Sequence, residues 1–98
     1  MRVLVPVRQA QGEESEVCPL TQATSFALVE LGEGMEIRSI AFVQDFVNVF
    51  FDYIVTSDKN DEVDEAFELG ARALLAREGM SVAEIVEAIM FRELDEIA

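Results

Sequence analysis

The first half of the chain alternates apolar and polar positions with the two-residue period of β-strands. Arg2–Val7 is apolar enough for a central strand, and Ser25–Leu31 and Glu36–Gln44 alternate more regularly. Three strands are therefore predicted before residue 45. In the second predicted strand, the alternation places Phe26 and Leu28 on one face and Ala27, Val29 and Leu31 on the other. In the third, it places Ile40 and Phe42 on one face and Ile37, Ala41 and Val43 on the other.

In the second half of the chain, short β-rich runs alternate with stretches that have helical signals. Phe51–Thr56 is a β-rich run typical of a buried parallel strand. A helix is predicted to begin near Asn60 or Asp61, because the acidic residues that follow complement its dipole. Gly70 suits the position just after the helix, and Ala71–Ala76 predicts another strand.

The strongest local signal in the chain is the capping box Ser81-Val82-Ala83-Glu84, which marks the start of a last helix. The apolar residues behind it repeat at helical spacing: Val82, Ile85, Val86, Ile89, Met90 and Leu94. The predicted order is therefore β-β-β-β-α-β-α in a single α/β domain that spans residues 1–98.

Two polar stretches are predicted as connections. Gln9–Thr24 contains three glutamates and Pro19 and is predicted to form a long loop, and loops of this length are often functional. Gly32-Glu33-Gly34 is expected to supply the positive-φ positions of a hairpin turn.

Composition narrows the possible partners. The chain is 51% hydrophobic, enough for a packed core, and carries a formal charge of −13. That charge repels phosphate backbones and anionic lipids, so neither nucleic-acid binding nor membrane association is expected. Cys18 is the single cysteine, which excludes an intrachain disulfide. No apolar run approaches a membrane span and no signal peptide is evident, so a cytoplasmic location is expected.

Five segments of the chain, taken in this order of elements, carry a resemblance to a known family: Val5–Val7, Thr24–Glu30, Ile37–Ile40, Phe51–Thr56 and Ser81–Ala88. Through them the chain resembles the dinitrogenase iron–molybdenum cofactor biosynthesis family, which includes the NifX- and NafY-like nitrogenase accessory factors. The resemblance implies a ribonuclease H-like mixed sheet and a non-catalytic accessory or carrier domain for an iron–sulfur or iron–molybdenum type cluster.

The chain departs from the family pattern in the loop before the second strand. The family carries a serine-x-histidine-phenylalanine-glycine element there, and its histidine position falls on Pro19, followed by Leu20 and Thr21. The chain has no histidine, so no imidazole can ligate a cluster. Cys18 stands beside the vacant position and is the candidate metal ligand, with Pro19 and Thr21 as further cluster-binding positions. The alternative is that Cys18 is a structural residue, because nearby glutamates raise the pKa of a thiol.

A second departure lies between the third and fourth strands, where the family has a helix of several turns. Here only Asp45–Phe51 separates them. Loss of that helix is expected to bare one face of the sheet, which a second copy of the chain would cover. The alternative is that Asp45–Phe51 folds back onto its own core. The predicted dimer surface consists of Phe42, Phe46, Val47, Val49 and Phe50.

The sequence is therefore consistent with two candidate functions. The first is an accessory domain that binds a metal cluster through the loop 13–24. The second is a ligand-free structural or interaction module that acts through homodimerisation or a protein partner. An enzyme is not expected, because no nucleophile–base pair can be assembled without histidine.

Overall fold

The computed structural model of the protein describes residues 1–97 and shows a mixed α/β fold, as predicted, built on one sheet. The strands follow the order β3-β2-β1-β4-β5-β6 across the sheet. β4 lies parallel to β1 and β5, and the other neighbouring pairs are antiparallel. The elements are β1 (Arg2–Val7), β2 (Ser25–Leu31), β3 (Ile37–Val43), β4 (Tyr53–Thr56), α1 (Asp64–Glu68), β5 (Arg72–Leu75), α2 (Val82–Met90) and β6 (Asp95–Ile97), with short 3-10 turns at Gly12–Glu14 and Leu20–Gln22.

One face of the sheet, here called the α2 face, is covered by α2. The predicted capping box is confirmed: the Glu84 N–H donates to Ser81 Oγ at 3.2 Å, and the Ser81 N–H donates to Glu84 Oε1 at 3.1 Å. No helix within residues 1–97 is long and apolar enough to cross a membrane. The buried core of this face consists of Val3, Val5, Val7, Val17, Ala27, Val29, Leu31, Val55, Leu74, Ala76, Met80, Val82, Ile85, Val86 and Ala88.

The opposite face, here called the α1 face, was expected to be bare, and that expectation is wrong. Residues 44–52 contain no helix, but Phe46 packs edge-on against Phe26 and Phe51, with ring centroids 5.4 and 5.8 Å apart. The segment therefore folds back onto its own core beside α1, which is the alternative that the sequence left open. The buried residues of this face are Leu4, Phe51, Ile54, Val63, Ala66, Ala71 and Ala73.

The β-strand faces follow the predicted alternation except at one point. Both predicted faces of β2 are confirmed, with Ala27, Val29 and Leu31 on the α2 face. In β3 the register shifts opposite Glu30 and Leu31. Because a shift of this kind re-aims a side chain, Ile37 packs on the same core as Ile40 rather than opposite it.

Helix α1 is shorter than predicted and begins later. Val63 occupies the N-cap position, and Asp61, the predicted cap, is used in tertiary hydrogen bonds instead. The end of α1 is as predicted: Gly70 has φ +89°, and the Gly70 and Ala71 N–H groups donate to the carbonyls of Phe67 and Ala66. This pair of bonds is the Schellman motif, which satisfies carbonyls at the end of the helix.

Strand β6 was missed because no glycine marks the end of α2. Arg92 takes the left-handed conformation there, with φ 56°, and its N–H donates to the Ile89 carbonyl. The reversal brings β6 antiparallel to β5, where Arg72 forms an exposed ion pair with Glu96 at 3.3 Å. The turn between β2 and β3 also differs from the prediction. Its positive φ falls on Met35 and not on Gly32 or Gly34.

Candidate functional site

The candidate site lies where β1 and β4 end side by side. These two central strands are parallel, yet their connections leave in opposite directions: β1 continues into β2 on one side and β4 into β5 on the other. In open α/β sheets such a reversal opens a crevice outside the carboxyl ends of the strands, and ligands bind there. Arg8 follows β1 at this edge, and Thr56 and Ser57 stand at the end of β4.

The long loop after β1 closes over this edge instead of leaving it open. The Cys18 N–H donates to the Pro6 carbonyl at 3.0 Å, and the Val17 N–H donates to the Met80 carbonyl at 2.9 Å. The Val82 N–H, at the start of α2, donates to the carbonyl of the fully buried Ser15 at 2.8 Å. The loop is therefore held to β1 on one side and to α2 on the other.

Asp61 ties the same loop to β4. Its Oδ2 accepts the Leu20 N–H at 2.8 Å and also the hydroxyl of Thr56, which is fully buried. Thr56 Oγ1 in turn accepts the Asp58 N–H at 3.3 Å. One carboxylate thus satisfies a buried hydroxyl and a loop amide, which would otherwise be costly to bury.

The candidate ligand Cys18 is fully buried beneath this loop. Burial raises the pKa of its thiol, the Asp61 carboxylate raises it further, and the Arg8 guanidinium opposes both. A thiol in this setting is protonated at neutral pH and out of contact with solvent, whereas a metal ligand must be a thiolate. Pro19 is half-buried, and Thr21 is exposed in the 3-10 turn that follows it.

A cleft of about 370 Å³ lies beside the end of β1, lined by Arg8, Gln9, Gln11 and Glu16. It offers one cation, two amides and one carboxylate. The hydroxyl oxygen of Ser57 is buried and has no hydrogen-bond partner among residues 1–97. Within the same residues, no group of three Cys, Asp or Glu side chains is placed to hold a metal ion.

The residues predicted as one dimer surface do not form one surface. Phe42 pairs across from Ala27 and so lies on the α2 face, while Phe46 and Val49 pack on the core of the α1 face. Val47 and Phe50 are exposed. The grouping failed because it assumed a bare sheet face. Homodimerisation itself stays a prediction.

Cys18 and its loop were predicted from the sequence, whereas Arg8, Thr56, Ser57 and Asp61 were not. The available signal was position, because Arg8 and the Thr56-Ser57 pair are polar residues at the ends of apolar strands. Asp61 carried a misleading signal, since an acid ahead of a helical stretch ordinarily reads as a cap. Its hydrogen bond to Leu20 spans 41 residues, a separation that local patterns do not reveal.

Comparison with known proteins identifies the fold. No protein-family model and no curated protein sequence matches the chain. A candidate NifB protein from Thermotoga shares the fold with TM-score 0.76 and 17% identity, over 97% of this chain and 91% of the other. A candidate dinitrogenase from Methanocaldococcus jannaschii gives 0.72 and 17%, over 100% and 95%. The apo form of the orange protein from Desulfovibrio gigas gives 0.79 and 14%, over 99% and 92%. At these identities the likeness shows the fold alone.

Proposed function

We propose that the chain is a non-catalytic accessory domain of the ribonuclease H-like, nitrogenase accessory type, and that it holds a small anionic metal-containing cargo in the cleft beside the end of β1. The observation that carries the proposal is the reversal of chain connections between these two parallel strands. The neighbours named as a NifB protein and as a dinitrogenase support the nitrogenase-related class, and the orange protein was solved in an apo form.

The side chains at this edge do not fit a cluster held by direct coordination. Cys18 is buried and its pKa is raised, and residues 1–97 offer no set of three ligands. They fit an anion held by hydrogen bonds, such as molybdate or an iron–sulfide anion. Arg8 would supply the charge and the amides of Gln9 and Gln11 further donors, while Glu16 would limit how much negative charge the cleft accepts.

The second candidate is the ligand-free module that acts through homodimerisation or a protein partner. The closed loop favours it, because Cys18 lies beneath a segment that is hydrogen-bonded on both sides. Under this candidate the edge of β1 and β4 is a structural junction. The two functions differ in whether the isolated protein retains metal.

The test is anaerobic incubation with ferrous iron, sulfide and molybdate, followed by desalting, metal analysis and absorbance spectra. The parent protein is expected to retain metal in a fixed ratio to the chain. The Arg8→Ala variant should retain less metal than the parent, by a factor of about ten or more, since a hydrogen bond to a charged group contributes about 1.5–3 kcal/mol. Arg77→Ala is the matched control, because Arg77 is also exposed and lies just beyond the end of β5.

Cys18→Ser separates the two ways of holding the cargo. Retention equal to the parent's is expected if hydrogen bonds hold the anion, and loss of retention would return Cys18 to the role of ligand. Absence of retained metal in the parent, or equal retention by Arg8→Ala, would refute the cargo site and leave the interaction module.

A further inference from the structure

A small apolar surface interrupts the polar exterior on the α1 face. It consists of Val47, Phe50 and Leu69, which are 56%, 84% and 45% exposed, and is here called the Phe50 patch. These three residues line one cavity of about 190 Å³ together with Asn48 and Val49. The connection between β3 and β4 and the end of α1 therefore meet at a shared surface pocket.

The exposure of Phe50 follows from how its segment is anchored. Phe46 packs edge-on against Phe26, and Phe51 is buried and packs edge-on against Phe46. The Val49 N–H donates to the Phe46 carbonyl at 3.4 Å, which closes a turn between the two anchors. Two of the three phenylalanines thus hold the segment to the sheet, and the third is presented to solvent.

Carboxylates dominate the chain around this patch. Residues 45–69 contain eight acidic residues against one basic residue, Lys59. Glu65 stands one helical turn before Leu69, whose N–H donates to the Glu65 carbonyl, and Glu68 is its immediate neighbour. Both glutamates are exposed, and Asp45 lies at the other end of the patch, where it accepts the Val47 N–H. These carboxylates therefore flank the apolar centre along the chain, and they are here called the acidic rim.

The acidic rim decides what can cover the patch. A second copy would bring two acidic rims face to face, and like-charge contacts oppose such an interface. Anionic lipid and nucleic acid are opposed for the same reason. A protein segment with apolar side chains between lysines and arginines matches both the centre and the rim.

We propose that the Phe50 patch docks a basic amphipathic segment of another protein. The cavity is smaller than the roughly 300–1,000 Å³ of small-molecule sites, and it suits one anchoring side chain of such a segment. Phe50 packs against the apolar stripe of the partner, and Glu65 and Glu68 pair with its basic flanks. The surface is separate from the edge of β1 and β4, so it operates under either candidate function.

The probe is a synthetic Leu/Lys peptide with helical amphipathic spacing, compared with a Leu/Glu peptide of the same apolar pattern. Binding is measured by fluorescence anisotropy at low and high salt, and amide chemical shifts locate it on the ¹⁵N-labelled protein. The Leu/Lys peptide is expected to bind, with shifts concentrated in residues 45–51 and 64–69. Phe50→Ser and the double variant Glu65→Lys/Glu68→Lys should each weaken binding about tenfold or more, as removal of a central anchor or rim does.

Phe91→Ser is the matched control, because Phe91 is 63% exposed after α2 and lies outside the Phe50 patch. It should bind the peptide as the parent does. An equal loss in Phe91→Ser, equal binding of the Leu/Glu peptide, or shifts spread over the whole surface would each overturn the proposal. A concentration-dependent dimer in sedimentation that Phe50→Ser abolishes would assign the patch to a second copy instead. Circular dichroism confirms that each variant is folded, and none of these readouts depends on retained metal.

Discussion

The two faces of the sheet are closed by different means. The α2 face is covered by a nine-residue helix with a complete capping box, and its core is a continuous set of aliphatic side chains. The α1 face is covered by a five-residue helix and by an irregular segment that is anchored through phenylalanines. The first arrangement buries the apolar stripe of its covering helix, Val82, Ile85, Val86 and Ala88. The second leaves the Phe50 patch in solvent.

The difference shows what each kind of covering depends on. Helix α2 is stabilised by a repeating apolar stripe, so its contacts follow from the helical period. The segment between β3 and β4 has no such period, and its position depends on two aromatic pairs. The α2 face should therefore contribute more to global stability, and the α1 face should be the one that responds to partners.

The largest expected effect comes from truncating one side chain on each face. Ile85→Ala should lower the free energy of unfolding by about 2–5 kcal/mol, because Ile85 is fully buried under α2. Phe46→Ala should cost less, about 1–2 kcal/mol, because Phe46 is only half-buried and its segment can relax. Urea denaturation measures both. An equal or larger loss in Phe46→Ala would show that the two faces are equally important to the fold.

The second prediction concerns Asp61, the carboxylate that ties the loop after β1 to β4. Asp61→Ala removes the acceptor of the Leu20 N–H and of the buried Thr56 hydroxyl, so it should cost about 1–3 kcal/mol. Glu62→Ala is the matched control, since Glu62 is the exposed neighbour and should change stability by less than about 0.5 kcal/mol. If the two variants unfold at the same urea concentration, Asp61 does not anchor the loop to β4.

Residues 1–44 and the last helix were largely predictable from the sequence, and the reason is local. The alternation of β2 and the capping box at Ser81 each act within a few residues, so the pattern carries the structure. The covering of the α1 face depends on Phe46 reaching Phe26, which is twenty positions away. No period records that contact, and the bare face predicted from a missing helix was wrong for this reason.

The candidate site was predictable only in part, for a similar reason. Cys18 could be singled out as the single cysteine, but its burial and the effect of Asp61 on its pKa arise from residues far along the chain. Arg8 and Ser57 lie at the same edge of the sheet only because β1 and β4 pair in parallel. Strand pairing of this kind is non-local, and the element order alone leaves it open.

The third prediction uses the raised pKa of Cys18. Its folded pKa lies above the unfolded value of about 8.5, so folding favours the protonated thiol. The associated stability is fully present below the unfolded pKa and is lost as pH rises towards the folded pKa. The unfolding free energy of the parent should therefore fall between pH 8 and 10 more steeply than that of Cys18→Ala, by at most about 1.4 kcal/mol per pH unit. Thr21→Ala, an exposed change in the same loop, should keep the parent's slope; equal slopes in all three proteins would contradict the buried thiol.

The smallest expected effect compares the ends of the two helices, which close with the same hydrogen bonds. Gly70 after α1 and Arg92 after α2 both take positive φ, at 89° and 56°, and the following N–H groups return to carbonyls of the last turn. An added Cβ at Gly70 would meet no atom within 4 Å, so Gly70→Ala should cost about 1 kcal/mol through backbone conformation alone. Arg92→Gly removes the same strain but gives the unfolded chain more freedom, so its gain should be smaller, a few tenths of a kcal/mol. Thermal unfolding should move in opposite directions for the two variants. If the unfolding temperature shifts in the same direction in both variants, the side chain of Arg92 stabilises the reversal into β6, and the positive φ of Arg92 does not oppose it.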